Sequence, residues 1–425
     1  MSEKETNIDF SYFYSLELEG INCFKDKQKL DLSDGNGNYS PWTIILGDNG
    51  TGKTTLLRVL DRMQPYEFEY KDVKHTTVSY GKGYKFNKFY HKIEFSVFTD
   101  GRIASIDIEK EGNSMRTSSF LSFDNYSTLV ISYGATRRMS KTPNIIQNES
   151  INKITSLFDD SIELINAEEW LLQKELLSEK AEVSVKEKFI KQLDLVKDIL
   201  KNILPGIKEI RVKPINETNS KLLIEVEDEA FGWINLRDLS HGYQTTTALI
   251  VDIAAKMMEQ YPDSENPLAE PVIILIDEID LHLHPKWQRT VLDKLSYHFP
   301  KAQFIATSHS PLIVQAAQDK GANIVVCRKE GDRVIIDNDP DEVKGWRIDQ
   351  ILVSDLFEVD SSRSVKTQEQ VDDYIVQKGL GNVSDIDIEN PEYRELASEI
   401  KHVIASEPET ELDKKLQEFA NRYLK

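Results

Sequence analysis

The sequence predicts an α/β fold in which helices cover a mixed, largely parallel central β-sheet. Three short apolar runs support this prediction, namely WTIIL at 42–46, VIILI at 272–276 and AQFIAT at 302–307. Runs of this length that are bounded by polar residues are typical of strands buried on both faces of a sheet. Segments in which apolar residues recur at helical spacing follow the first two runs, as expected when helices pack on a parallel sheet.

The order of the patterns along the chain predicts four parts. Residues 1–143 hold the first buried strand and a β-rich lobe. Residues 144–206 are expected to form a short helical arm, because SIELINAEEWLLQKELL and FIKQLDLVKDILKNIL repeat apolar residues at helical spacing. Residues 207–337 return to strands and helices, and residues 338–425 predict an acidic, mostly helical C-terminal extension.

The composition is that of a reduced, cytoplasmic protein. Lys and Arg total 52 and Asp and Glu total 72, a net charge of −20, and 40% of the residues are hydrophobic, which excludes wholesale disorder. The acidic balance disfavours a protein that coats nucleic acid with a basic surface. The two cysteines are far apart, the N-terminus lacks a secretory signal, and no apolar run approaches the roughly 20 residues of a membrane span. We therefore expect a cytoplasmic protein that does not enter a membrane.

A phosphate-binding loop is the clearest motif in the sequence. GDNGTGKT at 47–54 fits the pattern G-x-x-x-x-G-K-[ST] in full and lies between a predicted strand and the helical segment TLLRVL. The glycines let backbone N–H groups point at phosphate oxygens, and the helix adds its positive N-terminal end. Lys53 is expected to reach the β- and γ-phosphates of ATP, and Thr54 to ligate Mg²⁺. The residues predicted to bind the nucleotide here are Gly47, Asn49, Gly50, Gly52, Lys53, Thr54 and Thr55.

Polar side chains that follow the other two predicted strands are expected to meet the nucleotide. In a parallel sheet, carboxylates at the C-terminal end of a buried strand emerge beside the ligand. Asp277 is therefore predicted to bind Mg²⁺ directly or through water, and Glu278 to polarise the water that attacks the γ-phosphate. The third strand ends in Ser308-His309, so that His309 can contact the γ-phosphate or respond to the state of that water.

The segment LSHGYQ at 239–244 is a second candidate phosphate site, at the start of a predicted helix shortly before the acidic strand. Ser240 and Gly242 can bind an anion there through the helix N-terminus, although a serine in this position commonly just caps its own helix. One ATP site needs only one phosphate-binding loop. A second helix start of this kind therefore indicates a shared site.

These motifs, in this order, resemble those of the ATP-binding-cassette ATPases, in which the signature segment is usually written LSGGQ. His241 and Tyr243 depart from that form. GDNGTGKTTLLR, IDEIDLHLHPKWQR and FIATSHSP are similar to the non-transporter branch, which includes the RecF, SMC and Rad50 heads and the OLD-type nucleases. The resemblance covers about residues 15–330 and implies two heads that sandwich ATP, with the signature of one chain over the γ-phosphate bound by the other. The Q-loop is expected near 131–138, which contains no Gln.

Two features narrow the resemblance. The arm at 144–206 is too short for an SMC or Rad50 coiled coil, and residues 331–425 are too few for the Toprim nuclease domain of OLD proteins. The chain thus resembles the stand-alone ATPase subunits of bacterial anti-phage systems, of the Septu type that works with an HNH nuclease or the PARIS type that works with a Toprim nuclease. The resemblance implies an oligomeric, ATP-gated assembly that holds a partner nuclease until infection is sensed. Two alternatives stay open: a RecF-like dimer that clamps DNA in repair, and a sensor that binds ATP and hydrolyses it slowly.

Charge patterning indicates further candidate contact surfaces. Six lysines and one acid lie between Lys71 and Lys92 among tyrosines and phenylalanines, a pattern that fits DNA contact with base stacking and equally a β lobe with one solvated face. Arg137 and Arg138 can bind nucleotide, DNA or a carboxylate. Residues 331–425 carry 12 basic and 23 acidic side chains, a net charge of 12 − 23 = −11, so this tail is either a solvated helical face or a docking site for a basic partner.

Overall fold

The computed structural model of the protein describes residues 9–63, 65–70, 73–78, 92–99, 102–111, 114–119, 126–127, 129–140, 155–213, 222–340, 346–354 and 356–357. They belong to two compact units, Met1–Gly345 and Trp346–Lys425. In this described part of the chain, no helix is both long enough and apolar enough to cross a membrane.

Strands predominate up to Tyr133, and helices become frequent after it. The strands are β1 (Asp9–Phe10), β2 (Tyr12–Glu19), β3 (Gln28–Asp31), β4 (Trp42–Gly47), β5 (Pro65–Tyr70), β6 (Val73–Val78), β7 (Lys92–Thr99), β8 (Arg102–Glu111), β9 (Ser114–Ser119), β10 (Tyr126–Ser127), β11 (Val130–Tyr133), β12 (Ile207–Val212), β13 (Ile224–Asp228), β14 (Gly232–Asn235), β15 (Val272–Ile276), β16 (Ala302–Thr307), β17 (Asn323–Glu330) and β18 (Arg333–Asp337). The α-helices are α1 (Lys53–Arg62), α2 (Ala167–Lys180), α3 (Val183–Ile203), α4 (His241–Gln260), α5 (Pro285–Gln288), α6 (Val291–His298), α7 (Pro311–Lys320) and, in the second unit, α8 (Ile348–Leu352).

A six-stranded sheet in the order β11-β15-β16-β4-β17-β18 organises the first unit. All neighbouring strands in it run parallel except β17 and β18, so the predicted mixed sheet is confirmed. The three strands predicted from apolar runs are β15, β16 and β4, and they lie side by side, with Ile276 opposite Ala306 and Ala306 opposite Ile44. Because the three are parallel, the polar residues that follow them meet at one end of the sheet, called here the carboxyl end.

Helix α1 is anchored in a hydrophobic core that it shares with two sheets. Its residues Leu56, Leu57 and Leu60 are fully buried, together with Phe13 and Leu16 from an antiparallel sheet in the order β3-β2-β7-β8-β9. Alternate residues of the central sheet complete the core, as the two-residue period of a strand requires: Ile45, Ile273, Leu275, Ile305 and Val325. Burying each such side chain stabilises the fold by roughly 1.5–3 kcal/mol, so the start of α1 is held firmly against the sheet.

In the described part of the predicted arm, residues 155–206, the first helix begins at Ala167, a few residues after the start of the periodic segment SIELINAEEWLLQKELL. Turns occur at 156–158 and 160–161, and Leu164 forms an isolated β-bridge with Met139. Asp159 accepts hydrogen bonds from the N–H and hydroxyl of Ser161, a local contact that competes with helical bonding. The side chain of Asn166 then accepts a hydrogen bond from the N–H of Glu169 and caps α2. Helices α2 and α3 pack on each other and on α4, so the arm is attached to the helix that begins at the LSHGYQ segment.

Two predicted surfaces lie largely outside the described residues. Between Lys71 and Lys92, the structure describes only the backbone of β6 and of Lys92, and the basic, aromatic surface stays a prediction. Of residues 338–425, it describes 338–340, 346–354 and 356–357. The docking role of the acidic tail therefore also stays a prediction.

Candidate nucleotide-binding site

The loop between β4 and α1 is held close to the chain around it by two glycines. At Gly47 (φ +136°), a Cβ would lie 2.3 Å from the carbonyl oxygen of Cys327. At Gly52 (φ +83°), it would lie 2.5 Å from Sγ of Cys23. Only glycine combines these left-handed backbone angles with so close an approach. The two glycines thus define the path of the predicted phosphate-binding loop.

Lys53 is the first residue of α1, and its side chain turns back over this loop. Its ammonium donates hydrogen bonds to the carbonyl oxygens of Gly47 at 2.8 Å and Asp48 at 2.9 Å. Burial lowers the pKa of Lys53, and the nearby carboxylates of Asp277 and Glu278 act against that shift. The loop therefore contains a buried cation whose donors can exchange carbonyl oxygens for phosphate oxygens.

Thr54 and Asp277 bring two oxygen ligands together beside the loop. The hydroxyl of Thr54 donates to Oδ2 of Asp277 at 2.7 Å, and the hydroxyl of Thr307 donates to Oδ1 at 2.6 Å. A hydroxyl and a buried carboxylate next to a phosphate-binding loop suit Mg²⁺, which completes its shell with phosphate and water. The residues therefore fit this ion. Among the described residues, no group of three or more His, Cys, Asp or Glu side chains could hold a metal by itself.

Glu278 follows Asp277 in a left-handed conformation, with φ +51°. Its N–H donates to the hydroxyl of Thr307 at 2.7 Å, and its side chain is partly exposed at the carboxyl end of the sheet. For a residue other than glycine this conformation costs about 1–2 kcal/mol. The contacts around the turn must therefore maintain it.

His309 follows β16 and is exposed at the same end of the sheet. The N–H of His309 lies 3.3 Å from Oδ1 of Asp280, and the hydroxyl of Ser308 donates to the same oxygen at 2.6 Å. Asp280 thus joins the loop after β15 to the loop after β16. Asp280 was not among the site residues predicted from the sequence. Its position as a third acid, two residues after Glu278, could have indicated it.

Arg137 lies against the turn formed by Asp277 and Glu278. Its guanidinium donates to the carbonyl oxygens of Asp277 at 2.6 Å, Glu278 at 2.8 Å and Gly134 at 3.2 Å. The side chain is only 3% exposed, and burial lowers its pKa to about 10 despite the carboxylates nearby. Of the partners considered for Arg137 from the sequence, none matches these contacts, because the guanidinium binds the backbone of its own chain.

The start of α4 carries Ser240 and Gly242. Ser240 is the exposed N-cap residue, and its side chain makes no capping hydrogen bond to the helix. Gly242 packs on the loop after β15, since a Cβ there would lie 2.4 Å from the carbonyl oxygen of His282. The rings of His241 and His282 meet edge to face with centroids 4.8 Å apart. Although His282 is exposed as a residue, partial desolvation of its ring, followed by the charges of His241 and Arg137, lowers its pKa.

The remaining predicted residues lie around the loop. Asn49 and Gly50 are exposed at its tip, and the hydroxyl of Thr55 accepts a hydrogen bond from the side chain of Asn22 at 3.4 Å. Arg138 is exposed and forms an ion pair with Glu163 at 3.0 Å.

The structure therefore brings together one part of the predicted site and leaves another apart. Hydrogen bonds connect Thr54 to Asp277 and, through Thr307, to Glu278. In the described part of the chain, no hydrogen bond joins Ser240 or Gly242 to the phosphate-binding loop. Thr307 and Asp280 support the site without having been assigned to it from the sequence, and Arg137 supports it through backbone contacts that the sequence did not predict.

Residues 43–315 match the family described as "AAA domain, putative AbiEii toxin, Type IV TA system". The match runs from β4 into α7. It contains every residue singled out above for nucleotide or Mg²⁺.

Three relatives of this chain differ in how much of it they cover. The Septu protein PtuA of Bacillus mycoides is 27% identical over 77% of this chain and 42% of its own length. The Septu protein PtuA of Bacillus thuringiensis is 26% identical over 82% of this chain and 85% of its own length. The "Retron Vc95 probable ATPase" of Vibrio cholerae is 34% identical over 33% of this chain and 26% of its own length. The chain thus spans less than half the length of the first and the third relative.

Proposed function

The chain belongs to this family of AAA-domain ATPases, and on that premise we propose that it binds and hydrolyses ATP at the carboxyl end of its central sheet. One observation supports the proposal above all others. The strands β15, β16 and β4 are neighbours, and the hydrogen bond between Thr54 and Asp277 joins the phosphate-binding loop to the end of the acidic strand. A buried cation, a hydroxyl and two carboxylates meet there, and phosphoryl transfer uses these groups.

In the proposed reaction, the oxygen of a water molecule attacks the γ-phosphorus in line. The bond from that phosphorus to the β–γ bridging oxygen breaks, and ADP and phosphate are formed. Lys53 offsets the negative charge of the phosphate oxygens, while the N–H groups of the loop bind them. Glu278 accepts the proton of the attacking water. His309, at the end of the neighbouring strand, contacts the γ-phosphate or that water.

Thr54 and Asp277 are the residues that would hold Mg²⁺, which when bound neutralises charge on the β- and γ-phosphates. Asp277 must be correctly oriented for this task. The hydroxyl of Thr307 supports it by donating to Oδ1, and the buried position at the end of β15 limits its movement.

A second copy of the chain completes the site in this proposal. Ser240 and the first N–H groups of α4 lie at a helix N-terminus, which attracts phosphate. The Ser240 hydroxyl is exposed and makes no capping hydrogen bond. It is therefore available to an ATP molecule held by the loop of another copy, as the resemblance to the signature segment implies.

The relatives support a role in defence. Two carry the name Septu protein PtuA, and one is named "Retron Vc95 probable ATPase". We therefore propose that this chain is the ATPase subunit of a bacterial anti-phage system. In that role it holds a partner nuclease, of HNH or Toprim type, and releases its activity when infection changes the state of the ATP sites.

Phosphate release by the purified chain tests the enzymatic part of the proposal. We expect Mg²⁺-dependent turnover of ATP by the wild type and its loss in Lys53→Ala, because the substitution removes the buried cation of the loop. Lys329→Ala, an exposed lysine on β17, is the matched control and should leave turnover unchanged. Equal turnover in the wild type and Lys53→Ala would refute the site assignment.

Affinity purification from the native host tests the defence role. We expect a nuclease to co-purify with the tagged wild-type chain. The efficiency with which phage form plaques should then fall in cells that express the two proteins together. It should recover when Lys53→Ala replaces the wild type. Protection by Lys53→Ala equal to that of the wild type would contradict an ATP-gated role.

A further inference from the structure

The strongest unexplained feature of the site is the buried charge of Arg137. Arg137 follows β11, which pairs with β15 on the side away from β16. Within the described chain its hydrogen bonds all go to main-chain carbonyls, those of Asp277, Glu278 and Gly134. Burying a guanidinium is unfavourable unless specific contacts offset the loss of water. An apolar side chain could fill the same space with a smaller loss of hydration free energy, so the buried charge of Arg137 needs an explanation.

The turn that Arg137 contacts is held from both neighbouring strands. From β11, the guanidinium bridges two successive carbonyl oxygens, at 2.6 Å for Asp277 and 2.8 Å for Glu278. From β16, the hydroxyl of Thr307 accepts from the N–H of Glu278 at 2.7 Å and donates to Asp277 at 2.6 Å. Between the two contacts lies the left-handed backbone of Glu278. The conformation of Glu278 therefore depends on groups from both sides of its strand.

We propose that Arg137 is a positioning residue of the ATPase site, which fixes the Asp277–Glu278 turn so that the carboxylate of Glu278 faces the attacking water. The inference rests on the proposed hydrolysis of ATP and identifies what holds its base in place. The planar fork of an arginine can bridge two carbonyl oxygens, whereas the compact ammonium of a lysine cannot do so in the same way. Arg137 is too deeply buried to compete for a ligand at the surface.

This role predicts a specific kinetic signature. The phosphate-binding loop lies between β4 and α1, and Lys53 and Thr54 are the first residues of α1. Arg137 forms no hydrogen bond with them in the described structure. Loosening the turn should therefore slow the chemical step and leave ATP binding nearly unchanged. Misplacing a catalytic group by about 1 Å can slow a reaction roughly 10²-fold, and we expect a fall in kcat of this order.

The decisive variant is Arg137→Lys, which keeps the charge and loses the fork. We expect kcat for ATP to fall roughly 10²-fold while the Kd of ATP, measured by calorimetry at equilibrium, stays within about threefold of the wild type. Arg333→Lys is the matched control, since Arg333 is an exposed arginine on β18 that pairs with Asp26, and it should change neither quantity. In Arg137→Ala, guanidinium ion added at low millimolar concentration should restore part of kcat by occupying the vacated space.

The outcomes separate this inference from the proposed function. An Arg137→Lys chain with wild-type kcat overturns the inference alone, provided that the wild type hydrolyses ATP and Glu278→Gln does not. The inference is also overturned if kcat, the affinity for ATP and the melting temperature all decrease together and guanidinium does not restore kcat. Such a result indicates that Arg137 has a role in folding only. A wild-type chain without turnover refutes the proposed function and the inference together.

Discussion

The phosphate-binding loop and the start of α4 are both helix N-termini that contain glycine, yet their polar groups are used differently. At the first, the side chains of Lys53 and Thr54 are bonded within the chain, to loop carbonyls and to Asp277. At the second, Ser240 is exposed and makes no capping hydrogen bond. The first is organised before any ligand arrives, and the second presents its donors outward. The difference supports our proposal that each ATP site consists of the phosphate-binding loop of one chain and the start of α4 of a second copy.

The largest expected effect concerns the phosphate-binding loop and the acidic turn that is bonded to it within the same chain. Glu278→Gln keeps the size of the side chain and removes its capacity to accept a proton. We expect kcat to fall about 10²–10⁴-fold, the range for loss of a general base, while ATP still binds and traps a dimer that light scattering can detect. Glu330→Gln, an exposed glutamate on β17, serves as control. Full turnover by Glu278→Gln would rule out Glu278 as the base.

The preorganisation of the loop can be tested by comparing two glycines with similar backbone angles. Gly50 (φ +82°) has open space at its Cβ position, whereas at Gly52 (φ +83°) a Cβ would also lie 2.8 Å from the buried ring of Phe24. Gly50→Ala should lower the free energy of unfolding by about 1 kcal/mol from backbone strain. Gly52→Ala should lower it by about 2–4 kcal/mol, because overpacking adds to the strain. Equal losses in urea unfolding would show that the loop does not depend on this close packing.

Because the start of α4 is proposed to act on the ATP site of a second copy, we expect two differently defective chains to complement each other. Ser240→Arg blocks the start of α4 and leaves its own loop intact, and Lys53→Ala does the reverse. Each variant alone should be nearly inactive. Mixed together, they should recover up to about a quarter of wild-type turnover, since half of the random dimers then hold one intact composite site out of two. Failure of the mixture to exceed the sum of its parts would contradict a site shared between copies.

The smallest expected effect is a pH dependence of the free energy of unfolding. It arises where the start of α4 contacts the loop after β15, at the rings of His241 and His282. The pKa of His282 is lowered from 6.5 by partial desolvation of its ring, by His241 and by Arg137. The unfolded state therefore binds more protons below pH 6.5, and the free energy of unfolding should decrease as the pH falls from 7.5 to 5.5. His282→Asn should flatten this dependence, because asparagine tolerates the left-handed backbone at this position (φ +67°). An unchanged slope in urea unfolding at the two pH values would exclude His282 as its source.

The chain's own sequence determines the local parts of this site. The phosphate-binding loop is one contiguous motif, and the apolar runs before it and before Asp277 and His309 correctly predict three buried strands of the central sheet. Such features depend on residues a few positions apart, so their physical cause is contained in a short stretch of chain. The start of α4 at His241 is of the same kind.

Only the tertiary structure decided which groups support those parts. The sheet order places β4, an early strand, next to β16, and this brings Thr54 to Asp277. It also pairs β15 with β16, and this brings Thr307 to Glu278. Arg137 reaches the same turn from β11 across 140 positions of sequence. The local pattern around a residue indicates strand or helix, but the partner of a buried polar group depends on which strands pair. That choice is made by the packing of the whole sheet.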